Sequence, residues 1–582
     1  MILLRAIRPI LALALTLAAS CSGMLPNSAV PEHLASPYGG PLEAATPLAS
    51  VIRERELRSP DPSLRRPLLE QLHDQLAKSD PASTFKGVTY DLTRGNALPR
   101  GWLVQTPGGW GRKSSQLPYY ALDCADCDPD LLLPACLSDG DCTSGVCGTI
   151  ARRKVCLGHS DSILAGIHEM IAGARQSVDI ALLQPAPDTR FLGVLRHAVA
   201  ELARSRRDVT VRLLVGQYPP ANVDARRVFD ELAPREMGRL VLSVAAMRSC
   251  LVFEGCDSYS WNHAKIVAVD GRDVLSGGHN LWSADYLVGN PVHDLSMRMR
   301  GPAAASAARY IEALWRYVCA NLDRKPTISV VGSNVSGCVP SPRLRPSPAV
   351  GPLQVLAVAR LGAGITRDFA NQSELARDLA LGAARGNIRI VQQDLGFNMG
   401  RADTLFPETA LERLVDFLFH NDGDIHIVLS NYGAVGNTGS IYNNGVRLEV
   451  VARRLRELVS RRFEALDPLW RYQIRRGPDP VNAMLCQRVH LASFRFGPEN
   501  QWPDGQQIAN HAKFWMVDDR LFYIGSDNMY PVNLQEFGYI IDDRKAAQEI
   551  VEDYWTPLWH WSSRAAVSGR GVDRCIFREV LR

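Results

Sequence analysis

Beyond its amino terminus the chain has no run of the ~18 apolar residues that a transmembrane helix needs. It also lacks any long basic stretch of the kind that grips nucleic acid or anionic lipid. Lysine and arginine (65) exceed aspartate and glutamate (61) by only four in 582 residues, so charge names no partner. No low-complexity tract dominates apart from short Pro/Ser stretches, which confines expected disorder to ends and linkers. What remains is ordinary globular composition, 46% apolar and 22% charged. The length exceeds one ordinary domain and predicts several units sharing a large buried core.

The first residues have the layout of a secretory signal. Arg5 and Arg8 precede an apolar stretch from Ile10 to Ala19, followed by small residues, and the stretch is too short to span a bilayer. Ala18-Ala19-Ser20-Cys21 is similar to a bacterial lipobox, although Ala18 stands where leucine is usual. Residues 1–21 are therefore read as a signal peptide, and the protein as secreted or as an outer-membrane or cell-surface lipoprotein of a bacterium. Setting Cys21 aside leaves twelve of thirteen cysteines, an even number in a compartment where disulfides persist. Cys124, Cys127, Cys136, Cys142, Cys147 and Cys156 crowd into one segment. Cys124-x-x-Cys127 could suggest zinc, but no second CxxC follows, so a disulfide-knit module with an unknown ligand of its own is the better reading. The other six suggest Cys250 with Cys256, Cys319 with Cys338, and Cys486 with Cys575, although sequence alone leaves connectivity open.

Residues 22–50 read as a flexible linker, 51–123 as an N-terminal part packing on the first lobe, and 124–156 as the Cys-rich module. From Ser162 the pattern alternates: helix Ser162–Arg175, strand Val178–Leu183, helix Phe191–Ala203, strand Val209–Val215. The second half repeats it with helix Leu375–Arg385, strand Ile388–Val391, helix Leu411–Phe419 and strand Ile425–Leu429. This predicts an α/β fold of two duplicated lobes, 157–338 and 352–582, joined by a Pro/Ser/Gly-rich linker at 339–351.

Each repeat ends in one constellation. His263-Ala-Lys265 is followed by Asp270, Gly277, Gly278 and Asn280; His511-Ala-Lys513 by Asp518, Gly525, Ser526 and Asn528. The second fits HxKxxxxDxxxxxxGSxN at every fixed position, and the first has Gly278 where serine is usual. Both begin in alternating apolar stretches, so His and Lys two apart should project from one face of a strand. A phosphodiester is negative and resists attack. A site for it needs cations and donors around the non-bridging oxygens, a nucleophile on one side and an acid behind the leaving oxygen. Lys265, Lys513, Asn280 and Asn528 can supply charge and donors. One imidazole can attack phosphorus while the other protonates the departing alcohol, after which the pair reverses roles, with no metal or cofactor required. Such imidazoles need a fixed tautomer, and Asp294 and Glu536, 31 and 25 residues after His263 and His511, are expected to orient them. Asp270 and Asp518 are read as structural, since an acid beside a phosphate would repel it.

These motifs resemble the phospholipase D superfamily, and within it the secreted, actinomycete-type bacterial enzymes. The resemblance extends to Trp261-Asn-His263, Gly277-Gly278-His-Asn280-Leu-Trp282, Gln392-Gln393-Asp394-Leu395, Tyr530-Pro531 and Leu534-Gln535-Glu536-Phe537-Gly538-Tyr539, and covers roughly residues 80–582. It implies two α/β/α sandwich lobes with one active site at their interface. It also implies hydrolysis or transphosphatidylation of phosphatidylcholine-like lipids at a membrane surface without an obligatory metal. By motif position His263 would be the nucleophile and His511 the general acid, an order that residue chemistry alone does not give. Glutamate at 536 replaces the usual aspartate, Gly109 stands where a cysteine is expected, and the six-cysteine module is an insertion.

Blander duties compete for the neighbours. His279 and His293 are read as core or surface residues. Trp282, Tyr286, Trp502 and Tyr530 flank the motifs as candidates to line a substrate passage, with plain core as the alternative. Two other functions fit the sequence less well: a secreted nuclease using the same chemistry, disfavoured by the low charge, and a non-enzymatic surface binder, disfavoured by intact motifs. A monomer is expected.

Overall fold

The computed structural model describes residues 66–580, apart from 122–126, 187–188, 220–221, 253–254, 257, 325–326, 334–336, 343, 345–346, 367–370, 399–402 and 469–478. The export signal, Cys21, the 22–50 linker and Cys124 lie outside the described residues.

The segment ahead of the first lobe is divided between both lobes. Helix Leu68–Ser79 buries the stripe Leu69, Leu72 and Leu76 against Leu356 and Val358 of the second lobe. β1 (Tyr90–Asn96) likewise joins the second lobe's sheet, while β2 (Leu103–Thr106) joins the first. The helix and β1 pack on the second lobe, which corrects the expectation that residues 51–123 pack on the first. The Cys-rich module is a hairpin of β3 (Cys147–Ile150) and β4 (Arg153–Cys156), knit by Cys136–Cys147 and Cys142–Cys156.

In the first lobe β5 (Ser177–Leu182), β6 (Thr210–Gly216) and β7 (Val241–Cys250) are parallel neighbours buried along nearly their whole length, the pattern of a sheet covered on both faces. β8 (Ser260–Trp261) pairs with β7. β9 (Ile266–Val269), β10 (Asp273–Gly277) and β11 (Asp294–Arg300) continue the sheet antiparallel from β5, and β12 (Ile328–Gly332) closes the far edge. In the second lobe β13 (Leu353–Arg360) pairs with β1; β14 (Asn387–Gln392), β15 (Asp424–Leu429) and β16 (Val489–Ser493) are parallel. β17 (Phe514–Val517), β18 (Leu521–Gly525) and β19 (Glu536–Asp542) follow antiparallel from β14. The orders β7-β6-β5-β9-β10-β11 and β16-β15-β14-β17-β18-β19 are equivalent. Val274, Met297 and Met299 of one sheet share an apolar core with Phe522, Ile524 and Tyr539 of the other, so the antiparallel halves pack face to face. Cys250–Cys256, Cys319–Cys338 and Cys486–Cys575 are bonded as the sequence suggested.

Candidate active site

Each motif histidine stands just ahead of a short strand, β9 or β17. One residue earlier, Asn262 and Asn510 donate side-chain N–H groups to the carbonyls of Leu182 (2.7 Å) and Gln392 (2.8 Å), at the ends of β5 and β14. Both imidazoles therefore emerge at the same edge of their sheets. Two short parallel bridges stitch the lobes there, Asn262 with Gln535 and His293 with Asn510. In them the His263 N–H donates to Gln535 O (3.0 Å) and the His511 N–H to His293 O (2.7 Å).

Each bridge sets a histidine beside the carboxylate that follows its partner. Nδ1 of His263 lies 3.0 Å from Oε2 and 2.8 Å from Oε1 of Glu536, and Nδ1 of His511 lies 2.8 Å from Oδ2 of Asp294. The pairing is thus exchanged between lobes, which the spacing within each repeat does not reveal. With Nδ1 engaged, Nε2 is left as the reacting nitrogen of each ring. The rings are 6.4 Å apart between centroids at 78°, and both are buried.

The two carboxylates are supported differently. Glu536 accepts from Ser526 Oγ (2.6 Å) and lies 3.7 Å from the Arg360 guanidinium. Arg360 is itself held by Asp527 (2.9 Å), Glu374 (2.7 Å) and the Leu534 carbonyl (2.9 Å). Asp294 accepts from the Leu295 backbone (2.8 Å) and the Tyr286 hydroxyl (3.0 Å). Gly278 explains the difference: a Cβ there would lie 1.9 Å from Asp294 Oδ1. Serine has no room, and Tyr286 gives Asp294 the hydroxyl that Ser526 gives Glu536. Gly277 and Gly525 are required by close strand crossing, since a Cβ would approach Ser296 Cα to 2.3 Å and Gly538 Cα to 2.6 Å.

Lys265 and Lys513 each donate to the carbonyl of their own motif histidine (2.5 Å). Burial pushes the Lys265 ammonium down to about 7, against the pull of Glu536 and Asp294, and holds Lys513 well below its usual range. Burial, reinforced by both lysine charges, keeps the His263 and His511 imidazoles well below theirs. Burial also lifts the Glu536 carboxyl to about 7, although Arg360 and Lys265 oppose it. Two buried lysines and two imidazoles face two carboxylates, so an anion entering here would raise the proton affinity of the basic groups around it. Asn280 and Asn528 are buried with Oδ1 atoms that have no hydrogen-bond partner, while Asn528 Nδ2 donates to the Tyr530 hydroxyl (2.8 Å).

Asp270 and Asp518 lie apart from this cluster. At φ +53° and +55°, their carboxylates accept three successive backbone N–H groups each: Arg175, Gln176 and Ser177 at the entry to β5, and Arg385, Gly386 and Asn387 at the entry to β14. His279 is bonded to Thr106 (2.8 Å) and Ser296 (2.7 Å); His293 stacks on Phe494 at 4.5 Å; burial pushes both down to about 4. Trp282 and Trp502 pack in apolar cores, the alternative the sequence offered for them. Tyr286 is fully buried and acts through Asp294, its hydroxyl also lying 3.2 Å from His511 Nδ1. Tyr530 is nearly buried beside Phe397.

Sequence reasoning missed Arg360, Tyr442 and Asp285. The Tyr442 ring packs on His511 at 5.0 Å, and its hydroxyl donates to Asp285 Oδ2 (2.7 Å). Asp285 also accepts the Thr438 backbone N–H (2.8 Å) and hydroxyl (2.9 Å), clipping a loop of the second lobe to the first. No local pattern marks these residues. Asn262 and Asn510 were missed as well, although each precedes a His-Ala-Lys triplet.

No family model matches the chain. A phospholipase D of Streptomyces antibioticus is 30% identical over 561 residues, which cover 87% of this chain and 89% of that protein. Among solved structures, a phosphatidylserine synthase of Haemophilus influenzae Rd KW20 aligns with a TM-score of 0.44 at 15% identity, over 69% of this chain and 84% of that one. A polyphosphate kinase of Porphyromonas gingivalis aligns at 0.34 and 10% identity, over 67% and 47%.

Proposed function

The chain belongs to the phospholipase D family, and from that premise we propose that it cleaves phosphatidylcholine-like lipids through a phosphohistidine on His263. Phospholipid hydrolysis of the phospholipase D type follows from membership. The observation that carries the finer reading is the facing pair His263 and His511, 6.4 Å apart, each with Nδ1 on a carboxylate. The incoming phosphodiester anion favours a proton on Nε2 of His511; Nε2 of the neutral His263 attacks phosphorus, the bond to the headgroup oxygen breaks, and His511 gives that oxygen its proton. Lys265 and Lys513 balance the charge gathering on the non-bridging oxygens. His511, now neutral, takes a proton from water, whose oxygen displaces His263 and leaves phosphatidic acid. An alcohol in place of water gives the transphosphatidylated lipid.

Every step uses side chains of this chain, so activity should persist in chelator. The five described disulfides suit an oxidising compartment and support an exported protein. Incubation with phosphatidylcholine and ethanol in chelator should yield phosphatidic acid and phosphatidylethanol. A parallel incubation with single-stranded DNA should leave it intact; cut DNA with untouched lipid would replace this reading with a nuclease.

A further inference from the structure

Ten large apolar side chains are exposed among the described residues, and six of them (Tyr218, Val252, Tyr259, Tyr432, Val435 and Ile441) stand in the loops that follow β6, β7 and β15. Parallel strands end at one edge of their sheet, and in both lobes that is the edge where His263 and His511 emerge. The strongest part of this rim is the loop 431–446. Val435 and Ile441 pair across a hairpin, 38% and 51% exposed, while Ala434 and Tyr442 beside them are buried. The period of two gives the hairpin an apolar outer face and an inner face whose Tyr442 ring touches His511. Gly433 and Gly439, at φ +75° and +82°, permit its turns. On the other lobe Tyr218 packs edge-on against Trp261, two residues before His263.

Residues 431–446 contain no Asp, Glu, Lys or Arg. The Arg447 guanidinium, next in sequence, lies 3.8 Å over the Tyr432 ring. We propose that this hairpin, with Tyr218 opposite, is the surface by which the protein seats on a phospholipid aggregate, inserting Tyr432, Val435 and Ile441 rather than adsorbing by charge. The inference rests on the phospholipase reading: a two-chain lipid is presented in an aggregate, so the rim around the histidines is what must meet its surface. Apolar and aromatic side chains without charge suit a zwitterionic interface, whereas clustered exposed apolar residues on a soluble protein otherwise carry a cost.

The test separates seating from chemistry. The full chain carrying His263→Ala, which forms no covalent intermediate and so consumes no lipid, is sedimented with phosphatidylcholine vesicles in 0.1 M and 1 M salt, with and without Val435→Asp and Ile441→Asp. We expect partitioning to fall at least tenfold in the double variant and to change less than about twofold with salt. In the otherwise native chain, Val435→Ser with Ile441→Ser should slow turnover of vesicles but leave turnover of a monomeric short-chain phosphatidylcholine within about twofold. Unchanged partitioning, dependence on anionic lipid and low salt, or equal losses on vesicle and monomer would each overturn the proposal. Should the native chain cut neither form of lipid, the phospholipase reading fails while sedimentation still decides the seating.

Discussion

Gly278 is glycine because Asp294 occupies the space that its side chain would need, with Oδ1 1.9 Å from the position of a Cβ. The motif's missing serine is thereby explained by a residue of the neighbouring strand. Restoring it should harm the enzyme: Gly278→Ser displaces Asp294 from His511, and turnover of phosphatidylcholine should fall about a hundredfold, the scale of an ångström-sized misplacement. Gly278→Ala should do the same, because the clash begins at Cβ. Steady-state kinetics on both variants, with thermal melts to show they fold, checks this.

The exchanged carboxylates can be read out covalently. His511→Asn should trap the phosphate, with its diacylglycerol still attached, on His263 as an acid-labile mass increment, and His263→Ala should give none. Adding Glu536→Gln to His511→Asn should remove the trapped phosphate, since Glu536 orients His263. Adding Asp294→Asn should leave it, since the histidine that Asp294 serves is already gone. The opposite pattern, or phosphate on His511, would reverse the roles.

Tyr442 and Asp285 should act as positioning residues for His511. Tyr442→Phe removes the hydroxyl bonded to Asp285 and should lower turnover of phosphatidylcholine about tenfold, the scale of one hydrogen bond. With a nitrophenyl phosphodiester, whose leaving group needs no acid, the first burst of nitrophenol should keep its native rate while later turnover slows. Equal slowing of burst and turnover would mark a merely structural role.

Inorganic phosphate should bind with uptake of protons. At pH 8 a Lys265 ammonium held near 7 by burial is mostly neutral, and a bound anion favours its charged form, so its pKa rises and a proton is taken from solution. Calorimetry in two buffers of different ionisation heat should show positive uptake at pH 8, shrinking as pH falls below 7 and in Lys265→Met.

The chemistry was legible because it is written in short spacings. His263 with Lys265 and His511 with Lys513 stand two apart in strand-like stretches, and the buried runs at β5 and β14 lie within a residue or two of the predicted strands. The crosswise pairing was hidden because it depends on bridges between Asn262 and Gln535 and between His293 and Asn510, partners more than 200 residues apart. Helix Leu68–Ser79 was misplaced for a related reason: its leucine stripe says that a face is buried, not which lobe buries it. Trp502 shows the limit of proximity, since an aromatic near a motif in sequence can still be spent on the core.

Because His263 draws its carboxylate from the second lobe and His511 draws its own from the first, neither lobe carries an oriented nucleophile or acid by itself. Competence requires both bridges together, since each sets one histidine beside its carboxylate. A partly folded chain is consequently harmless to any lipid around it, and the lobes are bound to evolve as a couple, each holding the group the other cannot work without.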